Sequence, residues 1–478
     1  MQAPSLSSKT IIIHNVMAFI LLLTISFQGL LINVRMEGVP LWIINLLLFI
    51  PFIPRYFKLI IQLSWQLKLT YALLFLTCIL ISIVALFINE EINDYRFLLV
   101  PFLGIYIATI LLYNYRDNIY LFIKHIAIII TIMAFFSVMQ FLFDFNFFDF
   151  FRRKEEYYYE SGNFCSTCKF ILVDRDEGSS GGFGYPVPYG YYLAFFSPII
   201  YAYFIFYFPK DSSLVRKILF YFVPILAYLS LLSSMQKGAI LLVIVSVLVV
   251  NLFAIKFKQA LILFVLLVLS SNILFNSLQD LKGIEKGNPD MYYLTADPIY
   301  KGALGRKELF DLRAMDSRLS SVFAWYKAWK KIDNEPISAD YNRDRLTHEV
   351  FSSAVLDIRQ TKNKYSYVMS LQVPPSPHSY FLNIVMSYGY TVLFSVLFSY
   401  FFIVVLIGRI TMLNDHKLQY IHVAYLMAIV SYLGVAFIHN NGHFLLDSVG
   451  WIGIGLLFVL IYNSFPEGYS DNKVDNNN

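Results

Sequence analysis

The sequence predicts an all-α polytopic membrane protein with about twelve transmembrane helices and a large, mostly helical loop domain before the tenth. Three observations lead there. Residues AVILMFWYC make up 58% of the 478 positions and charged residues only 14%, whereas globular chains carry about 25% charge. Mean hydropathy is +0.60. Apolar runs of the length that a bilayer core of about 30 Å requires recur along the chain, each bounded by charge. With Lys+Arg 37 against Asp+Glu 32, the net charge of +5 lacks the basic stripe of a nucleic-acid binder. The 22 Gly, 17 Pro and 3 Cys exclude a collagenous, disordered or disulfide-scaffold chain.

The expected spans are residues 11–33, 39–55, 69–88, 97–113, 119–143, 189–208, 218–234, 238–255, 259–276, 382–407, 419–438 and 445–463. The first is 23 residues long and has no small-residue cleavage site, so it reads as a retained helix. The second is short and carries Pro40, Pro51 and Pro54, which interrupt helical hydrogen bonding. Twelve spans put both termini on one side. Thirteen Lys and Arg then fall in the connections on that side, against eight in the opposite short connections and the 144–188 loop, so the positive-inside rule predicts cytoplasmic termini. Both long loops, 144–188 and 277–377, then face outward.

The expected organisation is spans one to nine in 1–276, a loop domain in 277–377, spans ten to twelve in 378–465 and a disordered cytoplasmic tail in 466–478. The loop domain concentrates charge, with 15 of the 37 Lys/Arg and 13 of the 32 Asp/Glu. Connections beyond about 15 residues are functional or disordered, and apolar periodicity here argues for folding. Leu319, Val322, Phe323, Tyr326 and Trp329 repeat at helical spacing in 316–332, with Asp316 or Ser317 available as N-cap. Leu346, Val350, Ala354, Val355 and Ile358 do the same in 346–360. Such helices are expected to lie on the membrane or the bundle, and Trp325 and Trp329 suit an interface. Cys78 falls inside a span and reads as a small buried hydrophobe. Cys165 and Cys168 form a C-x-x-C in the first outer loop, which an oxidising compartment could close. No second cysteine pair accompanies them, so no metal site is expected.

Ionisable groups beside spans are costly and so mark function. The outer side carries Lys237 in the hairpin SSMQKG, His378 in PPSPHSYFLN, and His439, His443 and Asp447 in HNNGHFLLD. Arg318 begins the amphipathic segment of the loop domain. Pro374, Pro375 and Pro377 stop any helix ahead of His378, which places it in the first turn of the tenth span. The helix dipole there favours a phosphate and a neutral imidazole, a usable general base near pH 7. His443 and Asp447 stand four apart and share a face if both are helical. His14, Lys124, His125 and His422 fall toward the inner halves, with no chemistry assigned. Nucleotide-driven chemistry has no visible machinery, since P-loop, H-E-x-x-H, G-x-S-x-G and G-x-G-x-x-G patterns are lacking.

Three segments together resemble the O-antigen ligase and polymerase superfamily, integral membrane glycosyltransferases with about twelve spans and a large periplasmic loop before the tenth. His378-Ser379-Tyr380-Phe381-Leu382 followed by Gly389 is similar to the family's H-N/S-x-x-L element. Ser233-Ser234-Met235-Gln236-Lys237-Gly238 is similar to its S-x-x-x-R-G hairpin. Arg318, Trp325, Trp329 and Pro336 resemble its loop Arg followed by aromatics and Pro, and FGYPVPYGYYL resembles its entry to the sixth span. The chain departs in having Lys237 where the family usually has Arg, which replaces a bidentate fork by a point charge. It also has Ile337-Ser338-Ala339-Asp340 in place of a G-x-G.

The resemblance implies an O-antigen polymerase that transfers an undecaprenyl-pyrophosphate-linked glycan onto another lipid-linked repeat unit, without cofactor or metal. A ligase acting on lipid A-core, or a lipid-linked oligosaccharide transporter, are the alternatives. His378, Arg318 and Lys237 would be catalytic, and Trp325, Trp329, Ser379, Tyr380, His443 and Asp447 would bind substrate. The expected setting is the bacterial inner membrane with the large loop periplasmic. The bilayer, the lipid-linked oligosaccharide, a chain-length regulator and a flippase are the expected partners, and nucleic acid is not.

Overall fold

A computed structural model describes residues 8–27, 31–34, 37–88, 95–143, 186–207, 213–281, 309–310, 322–323, 325–327, 329–331, 379–413, 418–438 and 447–465. Among the described residues the architecture is helical, with one short β-hairpin. Helix α1 (Ser8–Ser26) leads to strands β1 (Leu31–Val34) and β2 (Glu37–Pro40), paired antiparallel with Leu31 opposite Pro40. Helix α2 (Leu41–Leu47), a 3₁₀ turn (Ile50–Phe52) and α3 (Ile53–Gln62) form one broken path. Then come α4 (Trp65–Ile88), α5 (Tyr95–Tyr115), α6 (Ile119–Phe143), α7 (Pro186–Ala202, continued by a π turn at Tyr203–Tyr207), α8 (Leu214–Ser233), α9 (Lys237–Ala254) and α10 (Phe257–Leu281). The last three are α11 (Tyr380–Leu413), α12 (Gln419–Ile438) and α13 (Ser448–Ser464).

Among the described residues, eight helical stretches are long and apolar enough to cross a membrane, and four shorter apolar helices accompany them. Each expected run coincides with one of these, but two differ in form. The run at 11–33 stays helical only to Ser26 and re-forms as strand from Leu31, where Ile32 and Val34 are β-branched and favour extended backbone. The run at 39–55 is divided, and its 3₁₀ turn carries Pro51 just ahead of Pro54 at the start of α3. α3 is amphipathic, turning Tyr56 and Leu59 inward and Arg55, Lys58 and Gln62 outward.

Two helices run through the centre. α13 is buried along nearly its whole length, from Val449 to Ile461, and α7 from Tyr189 to Ile200. Both are apolar on every face, as a helix surrounded by others must be. α5 reaches α13 through two glycines: a Cβ on Gly104 would lie 2.4 Å from the Trp451 indole, and one on Gly455 would lie 2.6 Å from Leu111. Small residues are what let membrane helices approach closely. Hydroxyl pairs fasten the remaining contacts: Thr77 to Ser399 at 2.9 Å, Tyr71 to Thr109 at 2.8 Å, and Ser246 to Ser431 at 3.4 Å. Each such pair contributes about 0.6 kcal/mol on average in a bilayer. The periphery is apolar and exposed, as on α10, where Ile262, Leu266, Leu269 and Ile273 face outward.

α11 is bent at Gly389, whose φ of 79° and ψ of 177° lie where essentially only glycine goes. The bend separates a nine-residue outer piece from a long membrane-crossing piece, Tyr388–Met412 in its apolar stretch. The sequence required that glycine for backbone, not for space: a Cβ there would touch nothing within 4 Å.

Candidate functional site

Successive helices alternate in direction, so α8 ends and α9, α11 and α13 begin at one end of the bundle, here the loop end. The segments 144–185 and 282–378 leave from that end. Cross-helix bonds agree: Ser26 meets Tyr192 at 2.8 Å and Ser137 meets Ser233 at 3.1 Å there, whereas Asn463 reaches the Arg116 carbonyl at 2.9 Å at the opposite, terminal end.

Lys237 is the first residue of α9 and is half-buried. The turn before it is tight. Ser233 donates to the Ser230 carbonyl at 2.8 Å and Ser234 to the Leu231 carbonyl at 2.6 Å, so both hydroxyls finish α8. Met235 then takes a left-handed conformation, φ 54°, and is buried. Gln236 is the N-cap, but its side chain forms no capping bond; its amide donates to the Ser234 carbonyl at 3.2 Å. The turn packs on α7. A Cβ on Gly190 would lie 2.9 Å from the Gln236 side chain, and one on Gly238 would lie 3.2 Å from the Tyr191 hydroxyl. Beneath it Tyr189 bonds Ser230 at 2.5 Å. A half-buried cation therefore begins a helix, where backbone N–H groups and the dipole favour an anion.

A second polar group gathers where α11, α12 and α13 meet. Ser379 is the N-cap of α11, its hydroxyl accepting from the Leu382 N–H at 3.3 Å. Helix α11 begins at Tyr380, directly after this cap. Asp447 is the N-cap of α13 in extended backbone and accepts from the Gly450 N–H at 2.8 Å. The Tyr432 hydroxyl on α12 donates to its other oxygen. Asp447 thus stands outside the helix, and the shared helical face expected for it and His443 does not apply to it. Tyr380 faces this carboxyl, and burial followed by the Asp447 charge holds its hydroxyl above the usual range.

Burial pushes the Asp447 carboxyl up to about 6, against the pull of the Tyr432 hydroxyl and the Gly450 and Val449 N–H groups. An unfolded aspartate titrates near 3.9. The folded state therefore binds the proton more tightly, so this contribution to stability is present at low pH and is lost as pH rises through about 6. The melting temperature of the purified protein should fall between about pH 4 and pH 7. Asp447→Asn, which keeps the cap oxygen, should remove that step; an unchanged profile would contradict it.

The described part of the loop domain docks against α11. Trp325 and Trp329 are buried, and the Trp329 ring lies 5.9 Å from that of Tyr390, just past the bend. Phe323, expected on the apolar face, is 62% exposed instead. Both tryptophans, which suited a lipid interface, pack inward. The difference arises because Trp325 and Trp329 are one helical turn apart and bury more area than a stripe through Phe323 would. Arg318, His378, His443 and both cysteines of the C-x-x-C lie outside the described residues. Tyr189, Tyr192 and Tyr432 were not singled out from the sequence, since a buried tyrosine shows no local pattern and its partner here lies far along the chain. No protein-family model and no curated protein matches this chain.

Proposed function

We propose that this chain is a surface-polysaccharide polymerase that passes a glycan from undecaprenyl pyrophosphate to a second lipid-linked repeat unit. The observation that carries the reading is the α8–α9 turn, which seats a cation on a helix start at the end of the bundle from which the large loop departs. The start of α11, with its Ser379 cap and Gly389 bend, belongs to that same end.

In the proposed reaction an acceptor hydroxyl attacks the anomeric carbon. The new glycosidic C–O bond forms as the bond to pyrophosphate breaks, and an in-line path inverts the anomeric centre. The acceptor proton passes to His378 or to water held by it. Lys237 and Arg318 balance the charge that develops on the departing diphosphate, in a setting where low dielectric strengthens the interaction. The half-buried carboxyl of Asp447 and the hydroxyl of Tyr380 are candidates for sugar hydroxyls.

Deletion of the gene followed by gel analysis of surface lipopolysaccharide tests the reading. A core bearing one repeat unit is the expected result. A bare core with polymer left on its carrier would make the chain a ligase, and an unchanged ladder would overturn both.

A further inference from the structure

At the terminal end, remote from the proposed transfer site, the hydroxyls of Tyr56 and Tyr106 are buried without a hydrogen-bond partner among the described residues, beside a buried His14 ring for which Asn114 is the one polar neighbour. They belong to one cluster between α1, α3 and α5. The His14 ring centroid is 4.0 Å from Phe52 and 5.8 Å from Tyr113; Tyr56 is 5.2 Å from Tyr113 and 6.1 Å from Tyr106. The Asn114 side chain hydrogen-bonds the His14 ring, which leaves the second ring nitrogen open. His14 and Tyr56 are each only 3% exposed. A buried hydroxyl that the fold itself does not partner is costly unless another polar group meets it.

The rim of the cluster is cationic. The Arg55 guanidinium lies 5.4 Å over the Phe52 ring and that of Arg116 lies 5.1 Å over Tyr113. Asp117 pairs with Arg116 at 3.5 Å. The charge of Arg55 bears on both His14 and Tyr56. The outward surface beside this rim mixes charge with grease: Lys58 and Gln62 are exposed next to Phe57, Ile61 and Trp65, which are 62%, 71% and 72% exposed. That combination sits at the headgroup level of a bilayer.

We propose that this cluster binds the headgroup of an acidic phospholipid. The phosphate bridges Arg55 and Arg116, and headgroup hydroxyls meet the second His14 nitrogen, Tyr56 and Tyr106. The occupant is a lipid because the cationic rim is continuous with the apolar side chains exposed on α3. α3 can admit it: the helix is anchored inward by Tyr56 and Leu59, and is bounded by the proline-containing 3₁₀ turn on one side and extended Leu63 on the other.

Native mass spectrometry of the full chain in detergent, titrated with phosphatidylglycerol, phosphatidylcholine or soluble glycerol phosphate, tests this. Phosphatidylglycerol should be retained selectively, and the Arg55→Gln, Arg116→Gln double variant should bind it about tenfold more weakly or worse. A Lys256→Gln, Lys258→Gln variant removes two exposed charges from the turn between α9 and α10 at the same end, and should bind as the parent does. His14→Phe fills the same space without polar atoms; it should melt no lower than the parent without lipid, yet lose the lipid-dependent rise in melting temperature. Equal retention of both lipids, selectivity unchanged in the double variant, or glycerol phosphate competing as well as the lipid would each overturn the proposal.

Discussion

Gly104→Leu is expected to prevent the protein from accumulating in the membrane. A Cβ at this position would already stand 2.4 Å from Cδ1 and 2.5 Å from Nε1 of Trp451. The indole cannot move aside easily: it is buried on the central helix α13 and packs edge-on against Trp42 at 5.1 Å. Overpacking of this kind costs about 1–3 kcal/mol and more where neighbours are rigid, a large part of a total stability of about 5–15 kcal/mol. The same approach underlies Gly455 on Leu111, so α5 and α13 would have to separate along their shared length. Membrane abundance of the variant, and the melting temperature of whatever can be purified, measure the effect. Trp451→Ala in the same chain should restore part of the loss, since the clash disappears; failure of that rescue would mean that Gly104 acts otherwise.

Lys237→Ala should abolish polymer while leaving the protein in the membrane at its normal level. Alanine is a good helix former, and α9 keeps its buried Ala239, Ile240, Val243 and Ile244 in the variant. The fold therefore survives. What is lost is the cation at the helix start, and removing one charge-stabilising group from a transfer site costs about 3–4 kcal/mol, or 10²–10³ in rate. Lys237→Arg restores the charge and adds a planar fork suited to phosphate, so it should keep the ladder. Lipopolysaccharide gels beside immunoblots of the membrane fraction read both quantities. A full ladder from the alanine variant would remove Lys237 from the chemistry.

The spans were legible because a bilayer imposes a length, and the apolar runs from 119–143 to 419–438 reappear as helices with small shifts at their ends. What composition concealed was local. In the run at 11–33 the change from α1 to β1 falls at Gln28-Gly29, a break too short to interrupt the run's average hydropathy. The last helix starts three residues later than the expected 445, at Ser448, because Asp447 caps it from outside. The turn at Lys237 was visible as a polar break between apolar runs, but its seat on Gly190 and Tyr191 needed the fold. The same holds for the tyrosine contacts. Ser26 and Tyr192 are 166 positions apart, and neither looks unusual in its own segment. His14 shows no chemistry in its own segment because the rings around it, Phe52 and Tyr113, come from the 3₁₀ turn and from α5.

The central claim is that Arg318 and His378 come to the Lys237 turn. Thiol cross-linking in membranes tests it, in a chain whose Cys78, Cys165 and Cys168 are replaced by serine. Lys237→Cys would be paired in turn with Arg318→Cys and with His378→Cys, and Thr77→Cys with Ser399→Cys, whose hydroxyls are 2.9 Å apart, would serve as the reference. The account predicts that a short bifunctional reagent joins Lys237→Cys to both partners as readily as it joins the reference pair. Efficient reference linkage with neither partner joined would contradict it.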